Sequence, residues 1–177
     1  VTNREDVDRA VRRLRNHGSE KRSCHSMGFN SRLDDIHAGV LSAKLKYIDQ
    51  WNDLRRKWAA RYSEGLKEAR HIRLPYEKPG YRHVYHLYVI ETRRPEQRDV
   101  LLDFLNRNGI DAKCHYPIAI HQQAGYPWGK QARIAGPIPN SERNAACCIS
   151  LPMFPELTEA EVDYVIEKVL EWDRTAG

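Results

Sequence analysis

The stretch from Gly28 to Tyr62 constrains the fold more than any other part of the chain. Apolar or aromatic side chains recur at Leu33, Ile36, Val40, Ala43, Tyr47, Trp51, Leu54, Trp58 and Tyr62. The steps of three or four place them on one helical face. Leu41, Leu45 and Ile48 widen that face, which predicts deeper burial over the first turns. Neither Gly nor Pro stands between Gly39 and Gly65, so the pattern predicts one long helix.

Gly28-Phe29-Asn30-Ser31-Arg32 is the loop that feeds this helix. Gly28 permits backbone angles closed to other residues. Asn30 and Ser31 are N-cap candidates, and Asp34 and Asp35 suit the positive end of the helix dipole. An amide, a hydroxyl and a guanidinium beside exposed backbone N–H groups can also hold an anion, typically a phosphate. The plainer alternative is that Asn30 and Ser31 only cap the helix while Arg32 pairs with a local carboxylate.

A chain of 177 residues, 41% hydrophobic and 30% charged, is globular and long enough to bury a core. No apolar run approaches the roughly 20 residues of a membrane span. The first residues are polar, without the apolar core of a signal peptide and without an initiating Met, which predicts a fragment or a cropped domain. Cys24, Cys114, Cys147 and Cys148 have no metal-binding spacing, and the adjacent pair is poorly arranged for a mutual disulfide. A reduced, cytoplasmic protein is expected. The formal charge of +5 favours an anionic ligand. The Arg12-Arg13-Leu14-Arg15 cluster lies on a helical pattern and reads as a solvated face, not a nucleic-acid patch.

Along the chain, Asn3 is expected to cap a first helix with Val7, Ala10, Val11 and Leu14 inward, stopped by Gly18. Ser19 to Met27 reads as an irregular connection. His71 to Pro75 and Val84 to Ile90 read as strands. Pro95 opens a helix with Val100, Leu101, Phe104 and Leu105 inward, ended by Gly109. Ile110 to His115 is a further strand. Tyr116 to Pro139 is a long loop of the kind that carries function. Ser141 to Cys147 is a short helix and Ile149 to Leu151 a brief strand. Thr158 and Glu161 form a capping box opening the last helix, whose inner face is Val162, Val165, Ile166 and Val169. Interleaved helices and short strands make this α/β or α+β, built around a small sheet.

Cys114-His115-Tyr116-Pro117 and His121 gather two imidazoles and a phenol where a strand ends, and His115 and Tyr116 can hydrogen-bond a polar substrate. Two histidines satisfied within a packed loop are the alternative. Zinc needs more ligands than Cys114, His115 and His121 supply, so no metal site is expected. His83 and His86 read as structural, and Cys147-Cys148 as small-residue packing. No lysine has the apolar setting of a nucleophilic amine, and no glycine-rich phosphate loop or G-x-S-x-G elbow is present. A complete catalytic constellation is missing.

Four motifs taken together resemble the DegT/DnrJ/StrS-type nucleotide-sugar aminotransferases. They are G-F-N-S-R-L-D-D-I with A-x-x-x-x-x-K-L, V-Y-H-L-Y-V, N-G-I-D-A-x-x-H-Y-P-I-x-x-H, and S-L-P-M-F-P-E-L-T-E-x-E-V-D-Y-V. The resemblance covers nearly the whole chain, in the family's motif order. It implies the C-terminal portion of a fold-type-I transferase that uses pyridoxal 5'-phosphate: an end of the large domain with the active-site loop (1–30), a long linking helix (31–66), and a small domain (67–177) with a mostly antiparallel sheet under helices. It implies a homodimer with shared active sites, glutamate as amino donor, and a keto sugar carried on a nucleoside diphosphate as acceptor. No catalytic residue is expected here, since the family's Schiff-base lysine would lie upstream of Val1.

By the same resemblance, Asn30 reaches the cofactor phosphate of the neighbouring subunit and Arg32 lies near the cofactor or the substrate's anionic part. His115, Tyr116 and His121 would border the sugar-nucleotide pocket. His37 and Gly39 stand where the family pattern has glutamine and alanine, and Ala119 where proline is common, departures that bear on substrate identity. Two rival expectations are a dehydratase-like relative using the same cofactor and a non-catalytic interaction module.

Overall fold

The computed structural model describes residues 2–21, 24–124 and 134–176. The chain divides into two compact units, Val1–Ile48 and Asp49–Gly177.

In the first unit, helix α1 (Glu5–Leu14) leads into a small antiparallel pair, β1 (Ser19–Lys21) and β2 (Cys24–His25). The stretch expected to be irregular is therefore partly a hairpin. α1 begins after Arg4, which makes no side-chain cap, so Asn3 does not cap it, and no residue of α1 is buried. The segment 29–31 runs back along the end of α1. Phe29 N–H donates to Leu14 O at 2.7 Å and Ser31 N–H to Arg15 O at 2.9 Å. This close passage explains Gly28: a Cβ there would lie 2.0 Å from Gly18 N and 2.4 Å from His17 C, backbone atoms that cannot yield. Gly28 is required for space, whereas Gly18, at φ +67, is the residue that uses left-handed freedom.

Helix α2 (Asp35–Leu45) follows, and α3 (Ile48–Gly65) starts after a turn at Lys46 and Tyr47. The expected single helix is thus two, and nothing in the residue types at the turn explains the break. The apolar face expected to be buried is open along α2. Leu41, Leu45 and Ile48 are 55%, 69% and 38% exposed. Periodicity identifies a face, but burial needs something packed on it, and α2 has no buried residue.

The second unit is built on a three-stranded antiparallel sheet of β3 (Ile72–Arg73), β4 (Tyr88–Thr92) and β5 (Cys148–Leu151), with β4 central. β4 alternates between buried Tyr88, Ile90 and Thr92 and half-buried Val89 and Glu91, while β5 is buried throughout. Helices α3, α4 (Glu96–Arg107), α5 (Pro139–Cys147) and α6 (Glu159–Thr175) complete the unit. Trp58, Tyr62, Leu66, Leu101, Leu105, Val162, Val169 and Trp172 join Tyr88, Ile90 and Ile149 in one core. This is the expected α/β arrangement, a small antiparallel sheet with helices.

Three expectations shift. Val84–His86 lie outside β4, because Tyr85 adopts φ 48 and its N–H is taken by His83 Nδ1 at 2.8 Å instead of a sheet ladder. Ile110–His115 is not a strand and pairs through one bridge, Lys113 with Ser150. Val100 is 60% exposed, since it sits one residue, or about 100° around the helix, from buried Leu101. The capping box is present as read. The Thr158 hydroxyl accepts from Glu161 N–H at 3.3 Å, and Glu161 accepts from Thr158 N–H at 2.8 Å.

Candidate functional site

In the first unit the expected contact residues are Asn30 and Arg32, both exposed. α2 is capped by neither Asn30 nor Ser31. Asp34 does this, accepting the His37 N–H at 2.9 Å, and its other carboxylate oxygen meets His37 Nδ1 at 2.5 Å. The His37 backbone N–H, followed by its ring, holds the Asp34 carboxyl below the usual carboxylate range. With Asp34 as cap, Asn30 is released from that task. Arg32 Nε donates to Asn30 Oδ1 at 3.3 Å, so the Asn30 amide keeps its N–H donors for another partner. An amide donor beside a guanidinium is suited to an oxyanion. Arg32 pairs with this amide, not with the local carboxylate that the plainer alternative required.

In the second unit a cleft of about 490 Å³ is lined by His115, Tyr116, Ile120, Gln123, Ser141 and Asn144, among others. β5 positions its base: Lys113 N–H donates to Ser150 O at 3.1 Å, and Ser150 N–H to Lys113 O at 2.7 Å. That bridge brings His115 Nδ1 to 2.9 Å from Ser150 Oγ, a hydrogen bond that fixes the ring's orientation. Tyr116, joined to His115 by a cis peptide bond, is 73% exposed, with its ring edge-on to the imidazole. Its phenol is therefore available to a ligand.

His121 is nearly buried and its Nε2 lies 2.9 Å from Glu142 Oε1 on α5. The 116–124 segment is thus tied to the helix that forms the far wall. His121 is not among the residues lining the cleft, so it acts on the wall and not at its surface. Each histidine has a protein partner, but the partner of His115 leaves the ring's other nitrogen for the cleft. Ser150, Glu142 and Asn144 were not singled out from sequence. Their roles depend on contacts between distant segments, 35 positions apart for His115 and Ser150 and 21 for His121 and Glu142, that no local pattern encodes. Residues 125–133 of the long loop lie outside the described residues.

No group of three or more His, Cys, Asp or Glu among the described residues is placed to hold a metal ion. Their surroundings make His83 structural: its ring holds Tyr85, its own N–H donates to Glu77 Oε1 at 2.7 Å, and its carbonyl accepts from Arg56 at 2.6 Å.

A family model, the DegT/DnrJ/EryC1/StrS aminotransferase family, matches residues 1–170. The chain belongs to that family. It is 38% identical over 177 residues to a "Pleiotropic regulatory protein" of Geobacillus stearothermophilus, covering 98% of this chain and 46% of the relative. It is 37% identical over 173 residues to dTDP-3-amino-3,4,6-trideoxy-alpha-D-glucose transaminase of Streptomyces venezuelae, covering 97% of this chain and 44% of the relative. Among solved structures, S. venezuelae DesV in complex with a ketimine intermediate superimposes with a TM-score of 0.88 at 37% identity, covering 98% of this chain and 46% of that one. The chain therefore spans about half the length of the relatives it matches.

Proposed function

We propose that this chain is the C-terminal portion of a pyridoxal-phosphate-dependent aminotransferase. The enzyme moves an amino group from glutamate to a keto sugar carried on a nucleoside diphosphate, in amino-sugar biosynthesis. The proposed division is an active-site loop region (1–30), a linking segment (31–66) and a small domain (67–177), with the Schiff-base lysine outside this chain. Relatives named as dTDP- and UDP-sugar transaminases, 36–37% identical, support the substrate class. A 26% identical structure with bound pyridoxamine phosphate supports the cofactor.

The observation that carries the reading is the division of labour at the start of α2. Asp34 takes the cap, so Asn30 and Arg32 present an amide and a guanidinium outward. These residues suit the phosphate of the cofactor, which when bound supplies the electron sink for amino transfer. The Asn30 amide donates to a phosphate oxygen and Arg32 adds its charge. In the small domain, His115 offers a ring nitrogen and Tyr116 a hydroxyl to the sugar-nucleotide. His121, through Glu142, holds the wall they stand on. The formal charge of +5 suits both anionic ligands.

The active site is proposed to be shared within a homodimer, with Asn30 serving the neighbouring subunit. Supporting this, Met27, Phe29, Ile36 and Leu45 are 81%, 60%, 81% and 69% exposed, large apolar side chains within one stretch that a second copy could cover. No described helix is long and apolar enough to cross a membrane, and the cytoplasm is the proposed location.

A second reading, a family member that does not transaminate, is favoured by the 38% identical relative named as a regulatory protein. Absorbance spectroscopy of the full-length protein separates the two. With pyridoxal phosphate bound, glutamate converts the spectrum to that of the pyridoxamine form and releases 2-oxoglutarate in equal amount. Bound cofactor that glutamate leaves unchanged overturns the aminotransferase reading.

A further inference from the structure

Two thiols outside the proposed ligand contacts lie against each other. Cys114 Sγ and Cys148 Sγ are 3.4 Å apart, a hydrogen-bond contact between free cysteines separated by 34 positions. The Lys113–Ser150 bridge beside them fixes the two backbone segments, so the contact is set by the sheet and not by side-chain chance. The two thiols differ in setting. Cys114 is partly exposed, and Arg98 Nη1 donates to its sulfur at 2.9 Å. Cys148 is 0% exposed, and burial, then the Cys114 contact, pushes its thiol up to about 12.

We propose that Cys114 and Cys148 form an oxidisable dithiol site that a hydroperoxide converts to an intrachain disulfide. Cys114, reachable and beside a cation, is the attacking sulfur; the thiolate is the nucleophile in such chemistry. It takes the distal oxygen of the peroxide, whose O–O bond breaks, giving a sulfenic acid on Cys114 and one molecule of alcohol or water. The Cys148 sulfur then attacks the Cys114 sulfur. Its S–H proton leaves with the displaced hydroxide as a second water, and the S–S bond forms. In sum, two thiols and one hydroperoxide give one disulfide, one water and one alcohol (or a second water from hydrogen peroxide). Excess small-molecule thiol reverses the bond by exchange.

The disulfide would join β5 to the residue directly before His115, and so clamp the wall of the cleft. The site stands on the sulfur geometry and not on the aminotransferase reading, and its test reads covalent structure, not activity. Sulfurs already in contact need only close to the roughly 2.0 Å of the bond, whereas the adjacent Cys147–Cys148 pair is poorly arranged for bonding.

The experiment is peptide mapping of the full-length protein under non-reducing conditions, after brief treatment with dilute hydrogen peroxide and quenching with an alkylating agent. A Cys114–Cys148 cross-linked peptide, lost on reduction and not formed when the protein is first unfolded in urea, is expected. Cys148→Ala removes the second sulfur, so Cys114 persists as a sulfenic acid trapped by dimedone, with at least several-fold more adduct than in the parent protein. If Cys114 and Cys148 are both recovered alkylated after oxidation, or if Cys148 is found bonded to Cys147, the proposal is overturned. The same holds if the unfolded protein cross-links this pair as readily as the folded one.

Discussion

Asp173, at the end of α6, accepts the backbone N–H groups of both Arg70 and His71, at 2.9 Å and 2.7 Å. One carboxylate thereby fastens the last helix to the segment entering β3. Asp173 is 8% exposed and its contacts to both N–H groups are part-buried, so removing it leaves two donors without their protein acceptor. Asp173→Ala is expected to cost about 1–3 kcal/mol, with Asp173→Asn milder because one acceptor oxygen remains. Urea denaturation with an unchanged m-value checks this. A loss under about 0.5 kcal/mol would show that water replaces the carboxylate.

Two glycines of the first unit predict opposite outcomes. At Gly28 a methyl would sit 2.0 Å from Gly18 N, so Gly28→Ala must push the 28–31 segment off the end of α1. At Gly39, in exposed α2, nothing lies within 4 Å of the added Cβ. Gly39→Ala is expected to stabilise by about 0.5–1 kcal/mol through helix propensity. Amide hydrogen exchange of Phe29 and Ser31 reads the first, and thermal midpoints read both.

The capping box gives a pH dependence with a defined sign. The Thr158 hydroxyl, then its backbone N–H, lowers the Glu161 carboxyl below its ordinary value. A lowered carboxyl contributes stability that is fully present above the unfolded-state value, about 4.3, and is lost as pH falls through the folded value. Thr158→Ala should cost about 1 kcal/mol at neutral pH. The variant should also lose less stability than the parent between pH 5 and 3, taken as roughly the window of carboxylate titration. Parallel melting curves against pH for the two proteins would contradict the assignment.

In the cleft, His115 is positioned by Ser150 at 2.9 Å. His115→Ala is expected to raise KM for the sugar-nucleotide about tenfold or more, while leaving the affinity for pyridoxal phosphate unchanged. Ser150→Ala, which frees the ring without removing it, should give a smaller rise of the same kind. Steady-state kinetics on the full-length enzyme distinguishes these from a fold defect, which lowers apparent kcat through a smaller active fraction without a specific rise in KM.

Local chemistry was legible in the sequence and distant pairing was not. Thr158 and Glu161 are three residues apart, so their box is visible in the letters alone. At the start of α2, by contrast, Asn30, Ser31 and Asp34 are all good caps within five positions. Only the backbone path, drawn back along α1 by Phe29 and Ser31, decides that the helix starts at Asp35. Tyr85 illustrates the limit of propensity: its neighbours are strong strand formers, yet its positive φ and the His83 ring end the ladder. His115 and Tyr116 are candidate ligand groups by their motif, and both line the cleft. Ser150, Glu142 and the Cys114–Cys148 contact depend on register between distant segments. The face of α2 was readable as apolar, but periodicity carries no information about what lies across it.

The claim that Asn30 and Arg32 hold the cofactor phosphate is tested most directly by the dissociation constant of pyridoxal phosphate in the full-length protein carrying Asn30→Ala. A hydrogen bond to a charged group is worth roughly 1.5–3 kcal/mol, so weakening by about ten- to a hundredfold is expected, with α2 intact because Asp34 is its cap. An affinity equal to that of the parent protein, in a variant whose circular dichroism is unchanged, would contradict it.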